Sequence, residues 1–168
     1  MSAAINLATE PRSWHKTVAD VSYLISTDTS LLNQDFIVTF LSTQSYWANG
    51  RPADAILETM RQSLCFGLYR KQGDNLTQVG FSRVVTDNYS FGYLADVFVL
   101  DEARGHGLGT WLIETIMTNP PCSTLKTMIL LTKDAHGLYE KFGFSVPENA
   151  SRIMMRRKLV PGKPDDRA

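Results

Sequence analysis

Between Val97 and Ile116 the chain reads VFVLDEARGHGLGTWLIETI, and this junction constrains the fold more than any other segment. A β-like apolar run enters three glycines at alternate positions, and an amphipathic helical pattern leaves them, with Leu108, Trp111, Leu112, Thr115 and Ile116 on one face. Glycine costs backbone entropy and lets another group approach the main chain closely. A strand that passes through a glycine turn into a helix brings both element types into one domain. It also leaves the first N–H groups of that helix unpaired, at the positive end of the helix dipole. Such a place binds anions, and phosphate is its commonest biological occupant.

The flanking sequence supplies the rest of the sheet. CFGLYRK (65–71), LTQVGFSRVVT (76–86) and FGYLADVFVL (91–100) are β-like runs joined by the turns QGDN and DNYS, which predicts an antiparallel meander. Upstream, VSYLIS (21–26) suits a first strand, preceded by a polar, weakly patterned extension over 1–20. Two helices are expected between them. Leu32, Phe36, Phe40 and Leu41 mark the first; Ile56, Leu57, Met60 and Leu64 mark the second, which Pro52 opens. After the glycine-led helix, which ends at NPP, the nearly continuous apolar run LKTMILLT (125–132) predicts a central strand. KDAHGLYEKF then reads as a short helix closed by Gly143, FSV and SRIMMRRKL as a terminal strand pair, and 161–168 as a disordered tail.

Composition narrows the function classes. Lys and Arg number 17, as do Asp and Glu, so the formal charge is zero and a general polyanion surface is not expected. Nucleic acid is therefore not an expected partner. No apolar run reaches membrane-spanning length and the N-terminus lacks a signal-peptide core, so no membrane partner and a cytoplasmic location are expected. Cys65 and Cys122 have no metal-ligand spacing, which gives neither a disulfide framework nor a metal site.

Two known phosphate loops fail at the junction. A P-loop needs Lys and then Ser or Thr after its last glycine, where this chain has Thr110 and Trp111. The dinucleotide fingerprint needs its third glycine one residue later, after a parallel strand. What fits is Arg/Gln-x-x-Gly-x-Gly/Ala, met by Arg104, Gly107 and Gly109. Downstream, Ala135, Leu138, Tyr139, Gly143 and Phe144 match A-x-x-L-Y-x-x-x-G-F. In this order and context the two motifs resemble those of the GNAT superfamily of N-acetyltransferases, over residues 21–158.

The resemblance implies an α/β fold with a mixed, mainly antiparallel sheet of about seven strands and about four helices, splayed between the fourth and fifth strands. It implies acetyl-CoA as cosubstrate, with pantetheine against the main chain of Val97, Phe98 and Val99. Pyrophosphate would lie against Gly105, His106, Gly107, Leu108, Gly109 and Thr110. Arg104 either adds charge there or is a solvated loop arginine. Thr132 stands where many relatives have Asn bonded to the pantetheine arm. Tyr139 matches the general acid, and the N–H of Phe98 or Val99 the oxyanion donor. A phenol of reference pKa about 10 keeps its proton at neutral pH and can supply it to a thiolate of about 8.5.

The base stays open. Asp96 lies beside the expected splay, either activating water or satisfied by neighbouring turns or Arg83; His106 and His136 titrate in a useful range. Acceptor recognition in such proteins comes from the connection of the first two helices, here SYWANGRP. Tyr46 and Trp47 offer flat apolar surface and Arg51 a partner for a carboxylate or phosphate. The alternative has Trp47 packed under the loop and Arg51 solvated. The expected reaction is acetyl transfer to a primary amine of a small molecule or protein, and the oligomer common among similar proteins is a homodimer. A non-catalytic acyl-CoA sensor or interaction module is the alternative.

Overall fold

The computed structural model describes residues 10–156. Its six-stranded sheet follows chain order: β1 (Ser13–Val18), β2 (Val21–Ser26), β3 (Leu64–Gln72), β4 (Asn75–Thr86), β5 (Phe91–Val99) and β6 (Thr127–Leu130). Neighbouring strands are antiparallel except β5 and β6, which run parallel. The meander formed by β3, β4 and β5 is the expected one.

Four α-helices join the strands: α1 (Gln34–Thr39), α2 (Ala53–Arg61), α3 (Leu108–Thr118) and α4 (His136–Tyr139). Alternation along the strands separates two cores. Ile37, Leu41, Ile56 and Met60, from α1, the turn after it and α2, pack with Cys65, Phe81 and Phe98. Leu108, Leu112, Ile113 and Ile116 of α3, with Tyr139 of α4, pack with Ile25, Phe66, Leu68, Val84, Leu94 and Val99. Asn33 caps α1 by accepting from the N–H of Phe36, and Phe40–Gln44 continues the helix as a wider π-type turn. Gly143 closes the last short helix with φ 83°, as its position predicts. None of the described helices is long and apolar enough to cross a membrane.

Three expectations change. Residues 13–18, read as part of a loose extension, form β1 and pair along all of β2. Trp14 packs tilted against Phe66, 6.4 Å between ring centres, and the Lys16 ammonium stands 5.6 Å from the Trp111 ring centre. The turn between the strands uses Ala19 and Asp20, both at positive φ, without the glycine or asparagine that usually marks such a hairpin. The run 125–132 is not central. Among the described residues β6 is the sheet edge, and Ile129 and Leu131 are exposed. The terminal strand pair is absent from the described part: 144–149 is irregular and Ala150–Arg152 is one 3₁₀ turn. The sheet therefore has six strands where about seven were expected. The expected tail, 161–168, lies outside the described residues.

Candidate active site

The site begins where two strands part. Pairing of β5 with β6 ends at Leu94 and Leu130, while β5 runs on to Val99. This is the expected splay, between the fifth and sixth strands because β1 adds one to the count. On its other side β5 carries a bulge. Phe81 faces Phe98 and Arg83 faces Ala95, so Ser82 alone opposes Asp96 and Val97. Asp96 takes φ 52° there, a left-handed conformation that costs about 1–3 kcal/mol for a residue with a side chain.

The bulge decides which main-chain groups face the opening. Leu100 donates its N–H to Val79 on β4, 2.8 Å. Along a strand these directions alternate, so Phe98 also faces β4, and Val99 turns its N–H and C=O away from it. Arg104 agrees, donating its Nε to the Val99 carbonyl at 3.2 Å. Of the two residues singled out as oxyanion donors, Val99 has the N–H that points away from β4.

Asp96 is 6% exposed and surrounded by donors. Oδ2 accepts from Arg83 Nε at 2.6 Å and from Arg51 Nη1 at 3.1 Å. Oδ1 accepts from Trp47 Nε1 at 3.2 Å and from the same Arg51 nitrogen at 3.4 Å. A carboxylate offers about four lone-pair sites, and these contacts occupy them. Arg83 also donates to the Ser63 hydroxyl, 3.2 Å. The loop before α2 is thereby tied to β5. The alternative of a packed Trp47 and a solvated Arg51 does not hold: Arg51 is ion-paired, and Trp47 keeps an exposed ring while its Nε1 is engaged.

The same loop reaches the far lip of the splay. The Tyr46 hydroxyl accepts from the N–H of Lys133 at 3.3 Å and lies 3.5 Å from Asp134 Oδ1. Tyr46 meets Trp47 edge-on, 5.0 Å between ring centres. Residues 46–51 thus bridge the ends of β5 and β6. Sequence reasoning missed Asp134 and Lys133 here, because only the topology brings 46 next to 133.

On the α3 side, Gly105 and Gly107 have φ 82° and 69°, and Gly107 caps α3. A Cβ placed on either glycine would meet nothing within 4 Å. The first main-chain bond of the helix is Trp111 N–H to the Gly107 carbonyl, and no N–H from Gly105 to Thr110 donates to another described residue. Arg104 pairs with Asp101, 2.7 Å, at the exposed edge of this loop.

Tyr139 of α4 is 8% exposed, with its ring edge-on to Phe144 at 6.0 Å. Its hydroxyl is not among the buried polar atoms left without a partner. Burial, followed by the nearby Tyr46 and Asp134, pushes this phenol up to about 12. The Thr132 hydroxyl accepts from the N–H of Ala135, 3.0 Å, which leaves its own hydrogen to donate. His106 and His136 are exposed. Both cysteines are buried, Cys122 included despite its loop-like sequence, and burial pushes Cys65 up to about 12 and Cys122 to about 11. Neither thiol is primed as a nucleophile.

Known proteins share this fold. Residues 62–146 match the sequence model of the acetyltransferase (GNAT) domain. A Gibberella zeae protein named "Putative acetyltransferase FG08082" is 36% identical over 151 residues, covering 79% of this chain and 82% of its own. The crystal structure of a Xanthomonas campestris protein described as "a putative acetyltransferase belonging to the gnat family" superposes with a TM-score of 0.75 at 40% identity, covering 83% of this chain and 94% of that one. A Clostridium acetobutylicum structure described with acetyl-CoA shares the fold, with a TM-score of 0.56, 10% identity, and coverage of 89% and 97%. The splayed sheet, the glycine-led helix and these likenesses lead to one conclusion: the chain belongs to the GNAT family of acetyltransferases.

Proposed function

We propose that the protein is an N-acetyltransferase that passes the acetyl group of acetyl-CoA to a primary amine by direct attack, with both substrates bound together. The observation that carries this reading is the opening beyond Leu94 and Leu130, with N–H groups at 105–110 that have no acceptor among the described residues and with Tyr139 near Tyr46 and Asp134 at its lip. The glycine loop suits a pyrophosphate: its main chain is open where side chains would stand, and its N–H groups have no other described acceptor. In this reading Val97 and Val99 hold the pantetheine arm with their main chain, and Thr132 donates to it. Arg104 keeps the loop in shape through Val99 and Asp101.

The chemistry needs an unprotonated amine, a polarised thioester carbonyl and a proton for the departing thiolate. The N–H of Val99 stabilises the negative charge that develops on the carbonyl oxygen. Tyr139, held protonated by its surroundings, donates to the sulfur as the C–S bond breaks and the C–N bond forms; the nitrogen releases its surplus proton to water, and solvent returns a proton to Tyr139. Asp96 is assigned a positioning role, because its lone pairs are already engaged by Arg83, Arg51 and Trp47. No acyl-enzyme is formed, in keeping with two buried, unactivated cysteines.

Thiol release from acetyl-CoA in the presence of an amine panel tests the reading. Amine-dependent release with formation of the N-acetyl product is expected. Tight CoA binding without turnover of any amine would replace it with the non-catalytic acyl-CoA-binding alternative.

A further inference from the structure

We propose that the acceptor is an amine that also carries a carboxylate, and that Arg51 holds that carboxylate through its free Nε–Nη2 edge. This rests on the N-acetyltransferase reading and narrows its acceptor to a class.

The starting point is an imbalance of charge. Two guanidinium groups, Arg51 and Arg83, share one carboxylate, Asp96, so the network keeps one unit of positive charge. Arg83 is spent: its side chain is 8% exposed, and it bonds both Asp96 and Ser63. Arg51 is not. Its side chain is 28% exposed, and Nη1 alone makes both of its contacts with Asp96. Nε and Nη2 have no partner among the described residues. Among the described residues the buried unpaired side-chain atoms are the Tyr69 and Ser82 hydroxyls and not these nitrogens, and the side chain that carries them is part-exposed.

The Nε–Nη2 edge of a guanidinium is a planar fork with two parallel donors, the match for the two oxygens of a carboxylate. Arg51 is pinned by Asp96 at its other nitrogen, so this fork is oriented before an acceptor arrives and little side-chain freedom is left to lose. A single excess positive charge suits a monoanion better than a phosphate dianion. The exposed rings of Tyr46 and Trp47 flank the loop that carries Arg51 and give the rest of the acceptor an apolar wall. The fork lies beside the bulge of β5, where the strands part, so a carboxylate held there keeps an amine on the same small molecule near the opening.

The test uses the full chain, acetyl-CoA and matched acceptors: free amino acids, the corresponding amino-acid amides, and O-phosphoethanolamine as the phosphate arm. Charge-assisted hydrogen bonds of this kind predict that kcat/KM favours the acid over its amide by about 10-fold or more. Arg51→Gln should shrink that preference to about 3-fold or less, and Arg51→Lys, which keeps the charge but loses the fork, should retain part of it. Calorimetry with an N-acetyl amino acid and its amide reads the same preference without turnover, and Arg51→Lys serves if Arg51→Gln does not fold. Equal use of acid and amide, a preference that survives Arg51→Gln, or better use of the phosphorylated amine would each overturn the assignment. Absence of turnover with every amine would instead remove the transferase reading, and acid-against-amide binding would still decide the role of Arg51.

Discussion

Asp96 separates a structural anchor from a catalytic base, and the two roles predict opposite outcomes for one substitution. Asp96→Ala leaves Arg83 buried without its counter-charge, and breaking a buried ion pair from one side costs about 3–5 kcal/mol. A chain of this size loses about 2–4 °C of Tm per kcal/mol, so a fall of about 6–20 °C is expected. Asp96→Asn keeps the shape and tolerates positive φ better than alanine, yet removes the same charge. It should lose most of that stability, and the smaller loss relative to alanine combines easier positive φ with the hydrogen bonds its amide oxygen still accepts. Thermal and denaturant unfolding of both variants at neutral pH, beside steady-state rates, make the assay. An Asp96→Asn protein within about 1 kcal/mol of wild type, but with kcat down by about 10²-fold or more, would refute the anchor argument and make Asp96 the base.

Other expectations follow from the same geometry. Tyr139→Phe should lower kcat by roughly 10²-fold with little change in CoA affinity. Burial raises the phenol to about 12, and the protonated form is the active one, so the wild-type rate should not fall on the alkaline side before about pH 10; a pH profile that breaks near pH 8 would assign the proton donor elsewhere. Gly107→Val places a branched side chain on a residue at φ 69° and in the open space before the loop, so CoA binding by calorimetry should be lost while the protein stays folded; unchanged affinity would remove the phosphate-loop assignment. Trp47→Phe keeps the ring and deletes the bond to Asp96, and should raise KM for the amine while sparing that for acetyl-CoA; equal effects on both would make the loop purely structural.

The sequence made some parts of this molecule readable for identifiable reasons. The meander, α3 and the Gly143 cap rest on local signals: alternation, tight turns and left-handed glycine positions. β1 was hidden because its inward positions are Trp14, Lys16 and Val18, and a lysine lying along an aromatic face breaks the apolar alternation. Its turn, Ala19–Asp20, also lacks the usual residues. The opposite error occurred at β6. Its apolar run reads as a doubly buried strand, yet Ile129 stands exposed at the edge of the described sheet. Apolar content alone does not tell a central strand from an edge.

The centre of the site shows why side-chain alternation could not place Asp96. Leu94 faces the α3 core, so a regular strand would send residue 96 to that face as well. The extra residue opposite Ser82 breaks this period. Val97 and Val99 join Leu94 on the α3 side, while Phe98 packs with Ile37 and Phe81 on the other, and Asp96 meets Trp47 and Arg51 there. One inserted residue therefore does two things. It delivers a carboxylate to the loop before α2, which ties down Arg51 and Trp47, and it sets the Val99 main chain away from β4 at the opening. In the proposed reading the cofactor meets the free edge of β5, while the acceptor meets the face that carries Asp96. Asp96 bears the left-handed backbone this requires, and three donor side chains hold it in place.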